Sequence, residues 1–223
     1  MIFSFMNIPE YINIWSEILN TIILVFIPTF FAYLLGFPLG VLAVITDKDG
    51  MKPNKILNQI LGFIINLGRS IPFLILLVLL IPLSRSIVGT SIGVAGTIVP
   101  LTIGAIPFVA RLVENSLKEV DKRVVDAAIC MGASKFQVIT RVYLVEALPS
   151  LIRGVSITLI MLIGYSAMTG ATGGDGLGAI AITEGYERLN TELMWWILLI
   201  IIIIVEIIQI AFDIIVKIID KRR

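Results

Sequence analysis

Long apolar stretches separated by short polar ones run the length of the chain, and five of them are long enough to cross a bilayer. A helix needs ~20 mostly apolar residues to do so. The spans fall at about residues 19–45, 56–83, 92–113, 151–171 and 193–215, which predicts an all-α integral membrane protein with five transmembrane helices in one domain, 19–215. Residues 1–18 form an extracytoplasmic or interfacial segment, and 216–223 form a basic tail. Asn7 to Glu17 suits a short interfacial helix with Tyr11 and Trp15 at headgroup level. The first 20 residues contain no Lys or Arg, so they lack the basic start of a signal peptide. Pro28 and Pro38 sit inside the first span, where neighbouring helices satisfy the freed carbonyls. Gly93, Gly96 and Gly104 in the third let other backbones approach closely. Ser84 to Ser91 reads as a loop carrying Arg85.

The longest polar interruption, 119–149, has a pattern of its own. It predicts two short amphipathic helices broken at Gly132, lying along a surface rather than across a bilayer. In the first, Val124, Val125, Ala128 and Ile129 recur at helical spacing behind Asp121, an N-cap residue. In the second, Ser134 and Gln137 stand three apart as a capping box, ahead of Phe136, Ile139, Val142 and Tyr143 on one face. Gly132 allows the chain to turn between them, because glycine enters left-handed conformations without steric cost.

Composition reinforces the membrane reading, since 58% of the 223 residues are hydrophobic and the mean hydropathy is +1.03. With no His and one Cys, the chain has neither a disulfide framework nor a His-containing metal site. A net charge of +1 points to no nucleic-acid partner. The placement of the charge is more informative than its sum. Lys48, Lys52, Lys55, Lys118, Lys122, Arg123, Lys135, Arg141, Arg153, Lys217, Lys221, Arg222 and Arg223 fall on or beside one side, and only Arg85 and Arg188 clearly on the other. The positive-inside rule therefore puts the central loop and the C-terminus in the cytoplasm and the N-terminus outside.

Catalytic chemistry finds little support, because no nucleophile elbow and no pair of carboxylates placed for acid and base work occurs in a span. Gly173 to Gly178 is glycine-rich without the GK[ST] of a phosphate loop. Arg69 must face protein, water or the interface rather than lipid. Arg111, Glu114 and Lys118 form one polar stripe, read equally well as ion pairing at a helix end or as function. Glu206, Gln209, Asp213 and Lys217 form another, in which Asp213 and Lys217 suit an i,i+4 ion pair and Glu206 either packing or a transport path. Cys130 reads as a small buried hydrophobe. In Gly164-Tyr165-Ser166-Ala167-Met168-Thr169-Gly170, small residues and hydroxyls surround one flexible thioether, which suits a hydrophobic gate or ordinary packing.

Asp126-Ala127-Ala128, Gly132 and the apolar Val142 and Leu144 resemble the EAA loop of bacterial type I ABC importer permeases, with Asp126 in place of the family's leading Glu and Val145 in place of a usual Pro. Pro107 to Asn115 and Gly164 to Tyr186 resemble the methionine branch of that family. The resemblance covers Leu19 to Ile215. It implies an ABC type I permease fold and a methionine-importing permease subunit in the bacterial inner membrane, working as a homodimer. Two copies of a cytoplasmic ATPase would dock at Asp126, Ala127, Ala128, Met131, Gly132 and Ala133, and an extracytoplasmic methionine-binding protein would deliver substrate. ATP and Mg2+ would belong to the ATPase, so this chain needs no cofactor and is not itself an enzyme. Gly164, Tyr165, Ser166 and Met168 would line the pathway or its gate. Other cargoes (another small amino acid or a sulfur compound) stay open, as does an ion-coupled secondary transporter, for which Glu206 is the one mid-span titratable candidate.

Overall fold

The structure, a computed structural model, describes residues 12–220, and among these it contains helices and no strand. In chain order the α-helices are α1 Ile14–Thr46, α2 Lys55–Ser70, α3 Phe73–Leu79, α4 Ile81–Val88, α5 Gly93–Lys118, α6 Lys122–Cys130, α7 Lys135–Gln137, α8 Leu144–Glu146, α9 Leu148–Met168, α10 Leu177–Ile180 and α11 Thr191–Ile219. Four helices are long and apolar enough to cross a membrane, and α2 with α3 makes a fifth if that broken pair counts as one span.

The break between α2 and α3 lies at Ile71 and Pro72. Proline offers no N–H to the helix ladder and turns the preceding residue away from helical conformation, so the span expected over 56–83, with its interruption at Arg69-Ser70-Ile71-Pro72, divides here. Residues 84–91 are not simply a loop either, since Arg85 belongs to α4, whose end is capped by left-handed Gly89. At the N-terminus the expected interfacial helix is corrected in part. Residues 7–11, Tyr11 among them, lie outside the described residues, but Trp15 and Glu17 already belong to the long helix α1.

The chain divides into two compact units, and each draws on the same four long helices. One comprises the residues up to Phe31, Ile71–Ala105 and Thr158–Ile210. An apolar cluster in it buries Leu177, Leu193 and Ile197 against Ile18, Ile180 and Ile200. The other comprises Ala32–Ser70, Ile106–Ile157 and the residues from Ala211 on. There α1 and α5 lie in close contact: a Cβ on Gly40 would stand 2.6 Å from the Ala110 carbonyl oxygen, and one on Gly36 2.8 Å from that of Ile106. Small residues facing a helix backbone allow this approach in a bilayer, where packing rather than hydrophobic burial draws helices together. The outward faces are strongly apolar, as Phe26, Phe30, Leu34 and Ile207 are all exposed.

Candidate functional site

The central polar segment is built by its caps. Asp121 has extended backbone, and its carboxylate accepts the N–H of Arg123 at 2.9 Å, satisfying one of the donors left free at the start of α6. The Arg123 guanidinium also donates to the same carboxylate from Nη2 at 2.7 Å, and these bonds hold Asp121 below the ordinary carboxyl range. Helix α6 then buries Val125 and Ala128 and leaves Val124, Asp126, Ala127 and Ile129 exposed. It ends in a Schellman motif: the Ala133 N–H reaches the Ala128 carbonyl at 3.1 Å, the Gly132 N–H reaches that of Ile129 at 2.9 Å, and Gly132 has φ +85. At once a second cap begins, in which the Ser134 N–H donates to Gln137 Oε1 at 2.8 Å and the Gln137 N–H to Ser134 Oγ at 3.3 Å. The following helix passes through a π-helical turn, Val138–Tyr143, before α8.

This double cap displays an apolar tip. Met131 is 82% exposed and Phe136 73%, in a polar segment that has no lipid-crossing role. Met131, Gly132 and Ala133 also line a recess with Ala128, Gln137, Arg141 and Val142. Of the six residues expected to dock a partner, Asp126, Ala127, Met131 and Gly132 are exposed and Ala133 is half-buried. Ala128 faces inward and anchors the helix instead. Cys130, expected to be buried, is exposed on this segment. Tyr143 is half-buried; burial raises its phenol pKa, and the Asp126 carboxylate adds to the rise.

Behind the segment lies a chain of ion pairs. Glu114 is buried at 5% exposure and accepts Arg111 Nη1 at 2.7 Å and Lys118 Nζ at 2.9 Å. Arg111 Nη2 donates to Asn66 Oδ1 at 2.6 Å, and Lys118 also meets Asp47 Oδ2 at 2.7 Å. The stripe seen in the sequence is thus a network centred on buried Glu114 that reaches α2 and the turn after α1, two partners that spacing alone does not reveal.

On α9 the expected pathway residues separate by face. Gly164 and Met168, four apart, are exposed, and nothing lies within 4 Å of a Cβ placed on Gly164. Tyr165 stacks on Phe73 with ring centroids 4.3 Å apart and planes 6° from parallel. Ser166 is buried, and its hydroxyl donates to the Ile163 carbonyl at 2.8 Å. The helix tightens into a 3-10 turn, Thr169–Thr172, and the glycine-rich loop beyond is held by side chains that sequence reading did not single out. Glu17 accepts the Gly176 N–H and Thr21 the Leu177 N–H, each at 2.8 Å, while Asp175 accepts the Val94 N–H at 3.1 Å. The available signal was a carboxylate within an apolar helix, which requires a partner.

Residues 36–223 match the family described as binding-protein-dependent transport system inner membrane component. The chain belongs to that family. It is therefore an inner-membrane permease subunit of an ABC importer rather than the subunit that hydrolyses ATP. Its relatives include the probable D-methionine transport system permease protein MetI of Vibrio cholerae, 45% identical over 98% of this chain and 100% of that protein. The methionine import system permease protein MetP of Bacillus subtilis is 43% identical over 81% of this chain and 82% of that one. A solved chain from inward-facing conformations of the MetNI methionine ABC transporter superposes with TM-score 0.91 at 44% identity, covering 93% of this chain and 96% of that one. The all-helical type I permease fold expected from the sequence is thus found.

In this permease α11 buries Leu193, Ile197 and Val216, whereas Glu206, Gln209, Asp213 and Lys217 are all exposed along one of its faces. The expected Asp213–Lys217 ion pair does not form; the ion pairs among the described residues lie elsewhere. Charged side chains on a membrane helix meet protein or water rather than lipid, so this face is one that a single copy leaves uncovered.

Proposed function

We propose that the chain is the permease subunit of a methionine importer, carrying either enantiomer, and that two copies enclose the translocation pathway. The observation that carries this reading is the likeness to D-methionine and methionine permeases over 81% to 98% of this chain, on a chain that presents a capped, apolar-tipped segment at Asp126–Ala133. Each copy docks one cytoplasmic ATPase subunit through the exposed Asp126, Ala127, Met131 and Gly132, with Ala128 and Ala133 setting the helix and its turn. ATP and Mg2+ are held by that subunit, and an extracytoplasmic binding protein supplies the amino acid. The segment 19–215 is the permease domain, with the N-terminus outside and the C-terminus in the cytoplasm, in keeping with the lysines and arginines of the loops.

The proposed cycle needs a part that passes on displacement without slack. Closure of the ATPase dimer draws the two coupling segments together and tips the helices between inward-open and outward-open states. Caps at Asp121, Gly132 and Ser134 satisfy the helix ends, so the segment transmits a push as a solid piece. On the pathway side, Gly164 and Met168 share the exposed face of α9 and form the constriction, where a thioether can move aside for an apolar side chain. Tyr165 and Ser166 support that constriction from behind, one through its stack on Phe73 and the other through its bond to the helix backbone.

The test is uptake of labelled methionine into vesicles containing the permease, its ATPase and the binding protein, comparing wild type with Gly132→Pro. Proline fixes φ near −65°, against the +85 found here, and removes the N–H that reaches Ile129. ATP-dependent uptake in wild type that disappears in an inserted variant supports the cargo and the coupling segment together. Uptake that persists without ATP refutes the importer reading, and an ATP-driven complex that ignores methionine replaces the cargo.

A further inference from the structure

Two carboxylates in the turn after α1 reach across to the base of the coupling segment. Asp47 accepts the Lys118 ammonium at 2.7 Å, at the last residue of α5, and Asp49 meets Lys122 at 3.3 Å, at the first residue of α6. The turn is itself firmly built. The Gly50 N–H returns to Asp47, the Lys52 N–H to Ile45 and the Asn54 N–H to Thr46, at 2.9, 3.0 and 3.0 Å. Asn58 at the start of α2 ties the same region down, donating to the Ala43 carbonyl at 2.7 Å and to Thr46 Oγ1 at 3.2 Å. Beneath these contacts, buried Glu114 holds Lys118 from the other side, and Arg111 links Glu114 to Asn66 in α2. All of these residues belong to one compact unit.

We infer that the turn Asp47–Asn54 is a second strut of the coupling machinery. Asp47 and Asp49 are positioning residues that brace the root of α6, so a push received at Asp126–Gly132 is passed to the end of α1 and the start of α2 as well as directly along α5. The inference rests on the reading of Asp126–Ala133 as the docking segment. It adds a load path which that docking surface does not contain. At its N-terminal root α6 is joined to α5 by Val120 and Asp121 alone, and the two cross-contacts from a pinned turn restrain that joint. The Asp49–Lys122 pair is exposed, its side chains 65% and 61% accessible, and the Asp47–Lys118 pair is half-buried, so their work is to orient rather than to hold the fold together.

The experiment uses the assembled complex and reads methionine imported per ATP hydrolysed, which a simple loss of folded protein does not change. Asp47→Asn with Asp49→Asn is expected to lower that ratio at least about threefold, with association of the ATPase and its basal hydrolysis retained. A ratio equal to wild type, or a ratio preserved while uptake and hydrolysis fall together, overturns the inference. The second arm replaces Cys130 with Ala, introduces Asp49→Cys and Lys122→Cys, and compares the reduced protein with the same protein joined by a short bis-methanethiosulfonate linker. If turn and segment move as one body, the linker restores the ratio lost in the reduced form. If the linker blocks transport, the two parts move against each other and the inference fails. A wild-type complex that hydrolyses ATP but imports no methionine refutes the cargo instead. The strut is then judged by whether linked and reduced proteins differ in their hydrolysis response to the binding protein, a difference supporting it and equality refuting it.

Discussion

Replacing Glu114 by Gln tests the ion-pair network where it is least exposed to water. The Glu114 side chain is 7% exposed and faces two cations, of which Arg111 is 23% exposed and Lys118 44%. Glutamine keeps the shape but offers one carbonyl acceptor, and turns an amide N–H toward whichever cation the carbonyl does not face. Breaking a buried pair by removing one partner costs roughly 3–5 kcal/mol, whereas exposed pairs contribute about 0–1 kcal/mol. Lys118 can recover water and keeps Asp47, but Arg111 is left largely buried with Asn66 alone, its Nε already without a hydrogen-bond partner among the described residues. The loss therefore falls between the limits, at about 2–3 kcal/mol. For a chain of this size 1 kcal/mol moves the melting midpoint by ~2–4 °C, so the expected drop is about 4–12 °C. Tryptophan fluorescence of the purified complex during heating reads it, with Lys118→Gln as the comparison, since that change leaves Glu114 paired with Arg111 and costs at most about 1 kcal/mol. A Glu114→Gln midpoint within about 1 °C of wild type, or a larger drop in Lys118→Gln, would refute the view that Glu114 is the buried centre of the network.

Two further outcomes follow from packing and charge. Gly40→Ala places a methyl group 2.6 Å from the Ala110 carbonyl oxygen and 2.7 Å from Val113 Cβ. It should cost about 1–3 kcal/mol through separation of α1 and α5, while Gly62→Ala, with nothing within 4 Å of its new Cβ, should leave the melting midpoint unchanged or raise it. The Lys118 hydrogen bond holds Asp47 below its ordinary value of 3.8, so the stability this carboxylate contributes is fully present above that pH and is lost as pH falls through the depressed value. The melting difference between wild type and Asp47→Asn should accordingly be level from pH 7 to about 5 and shrink below about 4; a difference that widens toward acid contradicts the pairing.

What could be read from the sequence is what short spacings encode. Hydropathy located the four long apolar helices, because a helix long and apolar enough to cross a bilayer is one contiguous run of residues. The Asp121 cap, the Ser134–Gln137 capping box and the left-handed turn at Gly132 were all legible, since each is a matter of a few neighbouring residues. The Arg111–Glu114–Lys118 stripe was visible for the same reason, as helical periodicity brings residues three and four apart together. The same rule misled at Asp213 and Lys217, where correct spacing produced no ion pair.

The partners that give those local pieces their purpose came from the tertiary structure. Arg111 finds Asn66 from 45 positions away, Val94 donates to Asp175 across 81, and Gly176 donates to Glu17 across 159. Lys118 meets Asp47 in the turn after α1. A single sequence shows which polar side chains sit in apolar helices and so require a partner, but not which of them the packing will bring face to face. It likewise placed Gly164, Tyr165, Ser166 and Met168 on one helix without sorting them. The neighbours decided that, with Phe73 taking Tyr165, the helix backbone taking Ser166, and Gly164 and Met168 left on the exposed face. Local conformation follows from bonds between near neighbours and is written along the chain, whereas the pairing of distant groups depends on how whole helices pack, which no short stretch contains.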